Sequence, residues 1–251
     1  MHRGDIEDLD SLRRGADLAD GVIHTAFNHD FSRFMANCEA DRHAIEAIGS
    51  ALQGSGRPFV MTSAVMLGAS APGQLAIEDN FNPEHPSPRN GSELIGVALA
   101  ERGVSVSMVR LPQVHNTVKQ GLITYLIEVA RATGISAYVD EGLNRWSAVH
   151  LSDAALLYVM ALERSGVGAR YNAVAEEGIA LRTIAEVIGR GLNIPVKSVA
   201  AADATAHFGW LGAFVGHDMS ASSALTQARL AWQPKGPGLI ADLEQMRYFD
   251  A

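Results

Sequence analysis

Small and polar residues follow three apolar runs of the sequence, at places where buried strands would end. These segments are His24-Thr25-Ala26, Thr62-Ser63-Ala64 and Arg110-Leu111-Pro112. In an open parallel sheet, ligands bind outside the carboxyl ends of the strands. Small side chains allow close backbone approach there, and hydroxyl groups supply hydrogen bonds. The sequence therefore predicts a ligand-binding cleft at these three segments.

A histidine lies just beyond the first of these segments. The run Phe27-Asn28-His29-Asp30 places an imidazole beside a carboxylate, and imidazole exchanges protons readily near neutral pH. We expect His29 to act as a general acid or base and Asn28 to contact substrate. The alternative is that Asn28 and Asp30 are only turn or capping residues.

Several familiar catalytic patterns are missing from the sequence. The nine histidines show no metal-ligand spacing, and neither a Gly-x-Ser-x-Gly elbow nor a P-loop is present. These absences argue against a zinc hydrolase, a serine hydrolase and a P-loop enzyme. The single cysteine, Cys38, falls on the apolar face of a predicted helix, so we expect a packed core thiol. One cysteine forms no internal disulfide, which favours a cytoplasmic location.

Composition indicates a globular chain with an acidic surface. Of 251 residues, 47% are hydrophobic and 19% are charged, which suits one large core or two coupled domains. Lys and Arg number 20 against 28 Asp and Glu, giving a net charge of −8. That balance argues against a general nucleic-acid binder and a polybasic membrane anchor. Apolar runs such as 154–162 are far shorter than a bilayer span, and residues 1–5 are not followed by a signal-peptide core.

Helix-like and strand-like segments alternate along the first 150 residues, around a long Gly/Pro/Asn-rich loop at 68–90. The predicted helices there are 6–14 (capped by Asp5 and ended at Gly15), 32–52, 92–102 and 121–133, and the predicted strands are 22–26, 59–63, 104–111 and 135–139. Later predicted elements are helices 153–164, 181–192 and 238–249 and strands 169–174 and 196–199. This alternation predicts an α/β fold with a parallel sheet covered by helices on both faces.

Several motifs recur along the chain in a recognisable order. They are residues 3–8 with Leu12, 19–26, 59–63, 109–112, 146–154 and 171–174. Together they resemble the atypical and extended short-chain dehydrogenase/reductase superfamily, in its NAD-dependent epimerase/dehydratase branch. The resemblance implies a Rossmann-like, doubly wound sheet over residues 1–143 that binds NAD or NADP. It also implies a smaller α/β substrate-binding region over residues 144–251, interleaved with the first.

The sequence departs from this family at its start. By comparison, about 50 residues of the first βαβαβ unit and its Gly-rich turn are missing. That turn presents backbone N–H groups to the cofactor pyrophosphate, so its loss weakens the expected cofactor binding. The strand at 22–26 would also be an exposed edge. We expect an N-terminally shortened version of a longer protein; the alternative is a short protein whose edge a partner chain covers.

The family's Tyr-x-x-x-Lys pair is also absent. Its usual following glutamate matches Glu93, which puts Arg89 at the Lys position and His85 at the Tyr position. Arginine can hold a ribose or phosphate but stays charged. His85 is a candidate acid or base, although neighbouring prolines also fit a plain loop.

The sequence also departs from the family at the position of its catalytic hydroxyl. Its usual position falls at Ala64, so Ser63 is the candidate; the alternative is a small residue that ends a strand.

The resemblance implies further binding residues. The nicotinamide half of the cofactor would be lined by Thr62, Ser63, Arg89 and Pro112, and the adenosine half by Asp5, His24, Thr25 and Ala26. Arg145 and His150 would lie on the substrate side. For His24 the alternative is a hydrogen-bonded, half-buried side chain, and for Arg145 a surface ion pair.

Two functional hypotheses follow. The first is an NAD(P)-dependent oxidoreductase or epimerase-like protein that acts on a carbonyl or alcohol of a small molecule. The second is a non-catalytic regulatory protein that binds cofactor or a partner on the same scaffold, suggested by the lost motifs. The resemblance also implies a possible homodimer through helices 32–52 and 92–102, with no nucleic-acid or membrane partner.

Overall fold

Four parallel strands form the main sheet of the structure, a computed structural model that describes residues 2–248. In chain order the strands are β1 (Val22–His24), β2 (Phe59–Ala64), β3 (Val106–Leu111), β4 (Gln113–His115), β5 (Ser136–Val139), β6 (Arg145–His150), β7 (Arg170–Asn172), β8 (Glu176–Ala180) and β9 (Val196–Val199). The main sheet has the order β1-β2-β3-β7. All its neighbours run parallel, which confirms the predicted architecture. β1 is an edge strand of this sheet.

The helices connect and cover these strands. They are α1 (Leu9–Asp17), α2 (Phe34–Leu52), α3 (Asn90–Glu101), α4 (Leu122–Thr133), α5 (Leu151–Arg164), α6 (Leu181–Leu192), α7 (Ala204–Phe208), α8 (Gly212–Val215), α9 (Ala224–Leu230) and α10 (Leu239–Gln245). None of these described helices has the length and hydropathy needed to cross a membrane.

Most predicted elements are confirmed, and the differences lie at ends and in short segments. α1 begins later than predicted because the carboxylate of Asp8 accepts the backbone N–H of Ser11 at 3.0 Å. The carboxylate of Asp5 instead accepts from the backbone of Glu7, and the helix continues through Gly15, so the predicted cap and stop were wrong. α10 ends at Gln245, and residue 249 of the predicted helix lies outside the described residues.

Two smaller sheets join the halves of the chain. β4 and β8 both pair with β6, and β5 pairs with β9. β7, from the C-terminal half, also completes the main sheet. Strands from both halves of the chain therefore share sheets, while the division at residues 143 and 144 and the interleaving of two functional regions stay predictions.

Helices pack on both faces of the main sheet, as the apolar strands predicted. One face of β2 and β3 packs with α2 and α3 around a buried cluster that includes Ile45, Leu52, Phe59, Met61, Leu99 and Met108. The opposite face packs with α5 around Val60, Val109, Leu157, Tyr171 and Trp232. Successive residues of β2 thus alternate between two cores.

A buried carboxylate links α3 to three strands of this sheet. Glu93 of α3 is fully buried and accepts hydrogen bonds from Arg110 of β3 at 2.6 and 2.8 Å. Ser63 of β2 donates to the same carboxylate at 2.6 Å, and Arg170 of β7 at 3.1 Å. Burial alone would raise the pKa of Glu93, but these partners outweigh it and hold the pKa below its ordinary value.

The same arginine fixes the long loop that follows β2. The guanidinium of Arg110 donates to the backbone carbonyls of Ile77 at 3.1 Å and Asn80 at 2.9 Å. This loop has little regular structure of its own, so these bonds hold it against the sheet.

Removing this carboxylate should destabilise the whole protein. Glu93→Ala leaves the Arg110 charge buried without a counterion, and we expect a loss of about 3–5 kcal/mol in unfolding free energy. Urea unfolding at pH 7 measures it. Glu101→Ala, at the exposed end of the same helix, is the control and should change stability by less than about 0.5 kcal/mol. Equal effects of the two substitutions would contradict this account.

Candidate functional site

A cavity of about 590 Å³ lies at the carboxyl ends of β1, β2 and β3. Its lining includes Thr25 after β1, Thr62, Ser63 and Ala64 at the end of β2, and Leu111 and Pro112 after β3. The three predicted segments therefore meet at one place. This is where a parallel sheet of this kind binds its ligands.

Arg89 lies at the floor of the cavity in an ion pair with Asp41. Its guanidinium donates to the Asp41 carboxylate at 2.7 Å and to the Thr62 carbonyl at 3.2 Å. The same guanidinium stacks over the Phe27 ring, 4.4 Å from its centroid. Arg89 thus lines the cavity as predicted, but its charge is already balanced.

Asp41 collects partners from three elements. The second oxygen of its carboxylate pairs with His24 Nε2 at 2.9 Å, and Ser92 donates to the carboxylate at 2.6 Å. Burial alone would raise the pKa of Asp41, but the His24 and Ser92 hydrogen bonds and the Arg89 charge keep it lowered. His24 is itself buried, which fits the alternative of a hydrogen-bonded histidine.

The two hydroxyls at the end of β2 are both engaged. Thr62 donates to the His24 carbonyl at 2.7 Å, so the Tyr158 hydroxyl, 2.7 Å away, donates to Thr62. Burial raises the pKa of Tyr158. Ser63 donates to Glu93, as described above. Neither hydroxyl proton is free for a ligand in this arrangement, although both residues line the cavity.

His29 is a titratable group that lines the cavity without a carboxylate partner in the described structure. Partial burial of its ring lowers the pKa of His29, and the charges of Arg89 and Lys119 lower this pKa further. A hydrogen bond with the Phe27 backbone acts in the opposite direction and raises it. The imidazole is therefore neutral near pH 7. The carboxylate of Asp30 accepts hydrogen bonds from the backbone N–H and the hydroxyl of Ser32. This is a capping contact of the kind that the alternative for Asp30 described.

Aromatic side chains form one side of the cavity. We call this side the aromatic wall; it comprises Phe27, Phe31, Phe34, Tyr125 and Phe214. Trp210 stacks on Phe31 with ring centroids 4.2 Å apart and meets the Tyr125 ring edge-on at 5.1 Å. Residues from three distant parts of the chain thus build one apolar surface.

Four of the residues predicted to be catalytic or to bind substrate do not line the cavity within the described structure. The Asn28 side chain accepts from the Asp30 backbone N–H, and the His85 ring accepts from the Ser87 backbone N–H. Arg145 pairs with Asp218 at 3.3 Å on the surface, as its alternative predicted.

His150, the fourth of these residues, caps α5 by accepting from the Ser152 backbone N–H. Its catalytic or binding role, and those of the other three, stay predictions that this cavity does not support.

The residues predicted for the adenosine half lie in two places. Thr25 lines the cavity, whereas Asp5, His24 and Ala26 line a separate groove of about 440 Å³ beside the edge strand β1. The structure thus separates the predicted cofactor contacts.

Sequence reasoning missed most of the aromatic wall and Lys119. Phe27, Phe31 and Phe34 follow a predicted ligand-binding strand end closely, and that clustering was a usable signal. Tyr125 and Phe214 lie on α4 and α8, and only the tertiary packing brings them together.

Comparisons place the chain among known proteins. An uncharacterized protein of Schizosaccharomyces pombe is 46% identical over 247 residues, which cover 98% of this chain and 83% of that protein. An uncharacterized protein of Saccharomyces cerevisiae is 40% identical over 243 residues, covering 96% and 81%. The chain belongs to the family of these two yeast proteins. No family model matches it.

Solved structures share the fold of this chain at low sequence identity. The dTDP-glucose 4,6-dehydratase DesIV of Streptomyces venezuelae, solved with NAD and TYD bound, is 20% identical with a TM-score of 0.76, covering 98% of this chain and 78% of that one. RMD of Pseudomonas aeruginosa, complexed with NADPH, is 18% identical with a TM-score of 0.68, covering 97% and 88%. These matches confirm the doubly wound, Rossmann-like fold that the motifs predicted.

The Asp41 ion pair makes a prediction about acid stability. A lowered pKa in the folded state adds stability above the ordinary aspartate pKa, and that stability is lost as the pH falls through the folded-state value. Asp41→Asn should therefore cost about 3 kcal/mol at pH 7. The difference from wild type should shrink below about pH 4. Urea unfolding across pH measures it.

Asp20→Asn, at an exposed position, is the control for this series and should stay close to wild type at every pH. A wild-type advantage over Asp41→Asn that grows in acid would contradict the ion-pair account.

Proposed function

We propose that the protein is an NAD(P)-dependent oxidoreductase or epimerase-like enzyme that acts on a carbonyl or alcohol carbon in this cavity. The observation that carries the proposal is the convergence of Thr62, Ser63, Arg89 and His29 on one cavity at the strand ends. Support comes from fold neighbours that were solved with NAD or NADPH bound. The two yeast relatives leave the substrate open.

The described residues fit one half of a dinucleotide. Thr62, Arg89 and Pro112 face the cavity where they could hold the nicotinamide and its ribose. The stacked Arg89–Phe27 pair offers a firm polar and planar surface for that half. Among residues 2–248, no Gly-rich turn supplies a pyrophosphate cradle, so we assign no residue to the phosphates.

A bound nicotinamide would supply or accept a hydride, and the protein must then handle the matching proton. His29 is the residue we assign to that proton, because it faces the cavity and is neutral near pH 7. Ser63 and Thr62 can accept a hydrogen bond from a substrate hydroxyl through their lone pairs, while their own protons stay with Glu93 and the His24 carbonyl. The aromatic wall supplies an apolar surface in the same cavity.

Replacing His29 should remove turnover and spare cofactor binding. We expect His29→Gln to lower kcat/KM for NADPH-dependent reduction about 10²–10⁴-fold, the usual contribution of a general acid. NADPH affinity, from fluorescence titration, should change less than about threefold. A panel of aldehydes and ketones provides the substrates. His217→Gln, at an exposed position, should behave as wild type.

The pH profile of the wild type separates a proton-transfer role from a structural one. Reduction needs protonated His29, so its rate should rise as the pH falls through a pKa below about 6.5, and alcohol oxidation should show the opposite trend. His29→Gln should lose this inflection. An unchanged profile in the variant would remove His29 from the mechanism.

One observation favours the second hypothesis, a regulatory protein that binds cofactor or a partner without catalysis. His85, at the family's Tyr position, lies outside the cavity lining, and Arg89 is neutralised by Asp41. Saturable NADPH binding without turnover, unchanged by His29→Gln or Ser63→Ala, would support this hypothesis over the enzyme.

A further inference from the structure

Lys119 is an unpaired cation in the lining of the cavity. The chain has only three lysines, Lys119, Lys197 and Lys235, so the placement of one of them in the cavity is a distinct feature. Among residues 2–248, no carboxylate oxygen lies within 4.0 Å of its ammonium group. His29 lines the same cavity, and the charge of Lys119 contributes to lowering the pKa of that imidazole.

The backbone holds Lys119 in place. Asn116 accepts the backbone N–H of Lys119 at 2.9 Å through its side chain, and it donates its own N–H to the Lys119 carbonyl at 2.9 Å. The next residue, Gln120, is fully buried and donates from its side chain to the Asn116 carbonyl at 2.9 Å.

Gly121 completes this turn in a left-handed conformation, with φ of 58°, where a Cβ would come within 2.6 Å of the Gln113 side chain. Lys119 therefore projects from a fixed turn rather than from a loose loop.

Among the described residues, no other charged group that lines the cavity forms an ion pair with Lys119. Arg89 is matched by Asp41 at 2.7 Å. The carboxylate of Glu128 lies near Tyr125. Burial of Tyr125 and the negative charge of Glu128 together raise the pKa of that tyrosine. The remaining surface is dominated by the aromatic wall and by aliphatic residues such as Leu111, Val114 and Leu122. One cation thus faces an apolar surface.

We propose that the cavity takes a flat, apolar carbonyl compound that carries one acidic group, with its ring on the aromatic wall and its anion on Lys119. This proposal rests on the proposed function, because it takes the cavity as the substrate site. A single anionic group matches a single unpaired cation, whereas a polyphosphate would meet only Lys119 and the repulsion of Glu128. A neutral compound would leave the Lys119 ammonium without a counterion.

A matched pair of dyes tests the charge requirement without turnover. 8-Anilinonaphthalene-1-sulfonate and N-phenyl-1-naphthylamine share the same rings and differ in the sulfonate. We expect the wild type to bind the sulfonate at least about tenfold more tightly than the neutral dye. Lys119→Met should abolish that difference, and Lys119→Arg should keep most of it. Lys235→Met is the control and should match wild type.

The wild type alone supplies a second measurement, which does not depend on the folding of any variant. Reductive ¹³C-methylation of the three lysines gives separate NMR signals for them. The sulfonated dye should shift the Lys119 signal and leave those of Lys197 and Lys235 in place.

Three outcomes would overturn the proposal. They are equal binding of the two dyes by wild type, an unmoved Lys119 signal, and a Lys119 shift with NADP⁺ alone as large as that with the dye. The last would assign the cation to the cofactor. Dye binding through Lys119 in a protein that binds neither NADH nor NADPH would instead leave this proposal standing and remove the proposed function.

Discussion

The carboxylate of Glu93 is the interaction on which the rest of the structure depends. From α3 it binds side chains of β2, β3 and β7, three neighbouring strands of the main sheet. Its partner Arg110 also holds the long loop that borders the cavity. Because a buried carboxylate and guanidinium stabilise the fold only when fully paired, this cluster fixes how the strand ends meet. The cavity exists where those ends meet.

A second buried carboxylate performs a similar task at the floor of the cavity. Asp41 neutralises Arg89 and binds His24 and Ser92. The fold thus commits two acidic groups and three arginines to structure. His29 and Lys119 remain facing the cavity without a carboxylate partner in the described residues, which is why the proton role and the anion site are assigned to them.

Much of this architecture could be predicted from the sequence. The apolar strand segments and periodic helix segments predicted the parallel sheet. Small and polar residues at the ends of β1, β2 and β3 predicted the position of the cavity. β4, β6 and β8 were missed because they are short or carry polar residues, which hide their period. Asp41 left a usable signal, since it falls on the apolar face of α2 between Cys38 and Ile45.

Other features had no local signal. The partner of Arg89 and the stack of Phe31 on Trp210 depend on contacts between residues 48 or more positions apart. The predictions for His85 and Arg145 rest on resemblance to a family pattern, which the sequence departs from at His85. Such residues can be placed only once the packing of the helices and loops is known.

The most direct test of the central claim is whether a nicotinamide ring enters this cavity. Saturation-transfer NMR on NAD⁺ and NADP⁺ can compare wild type with Ala64→Phe, which fills the cavity at the end of β2. The account predicts strong transfer to the nicotinamide protons in wild type and loss of that transfer in the variant. Transfer only to the adenine protons, or equal nicotinamide transfer in both proteins, would contradict it.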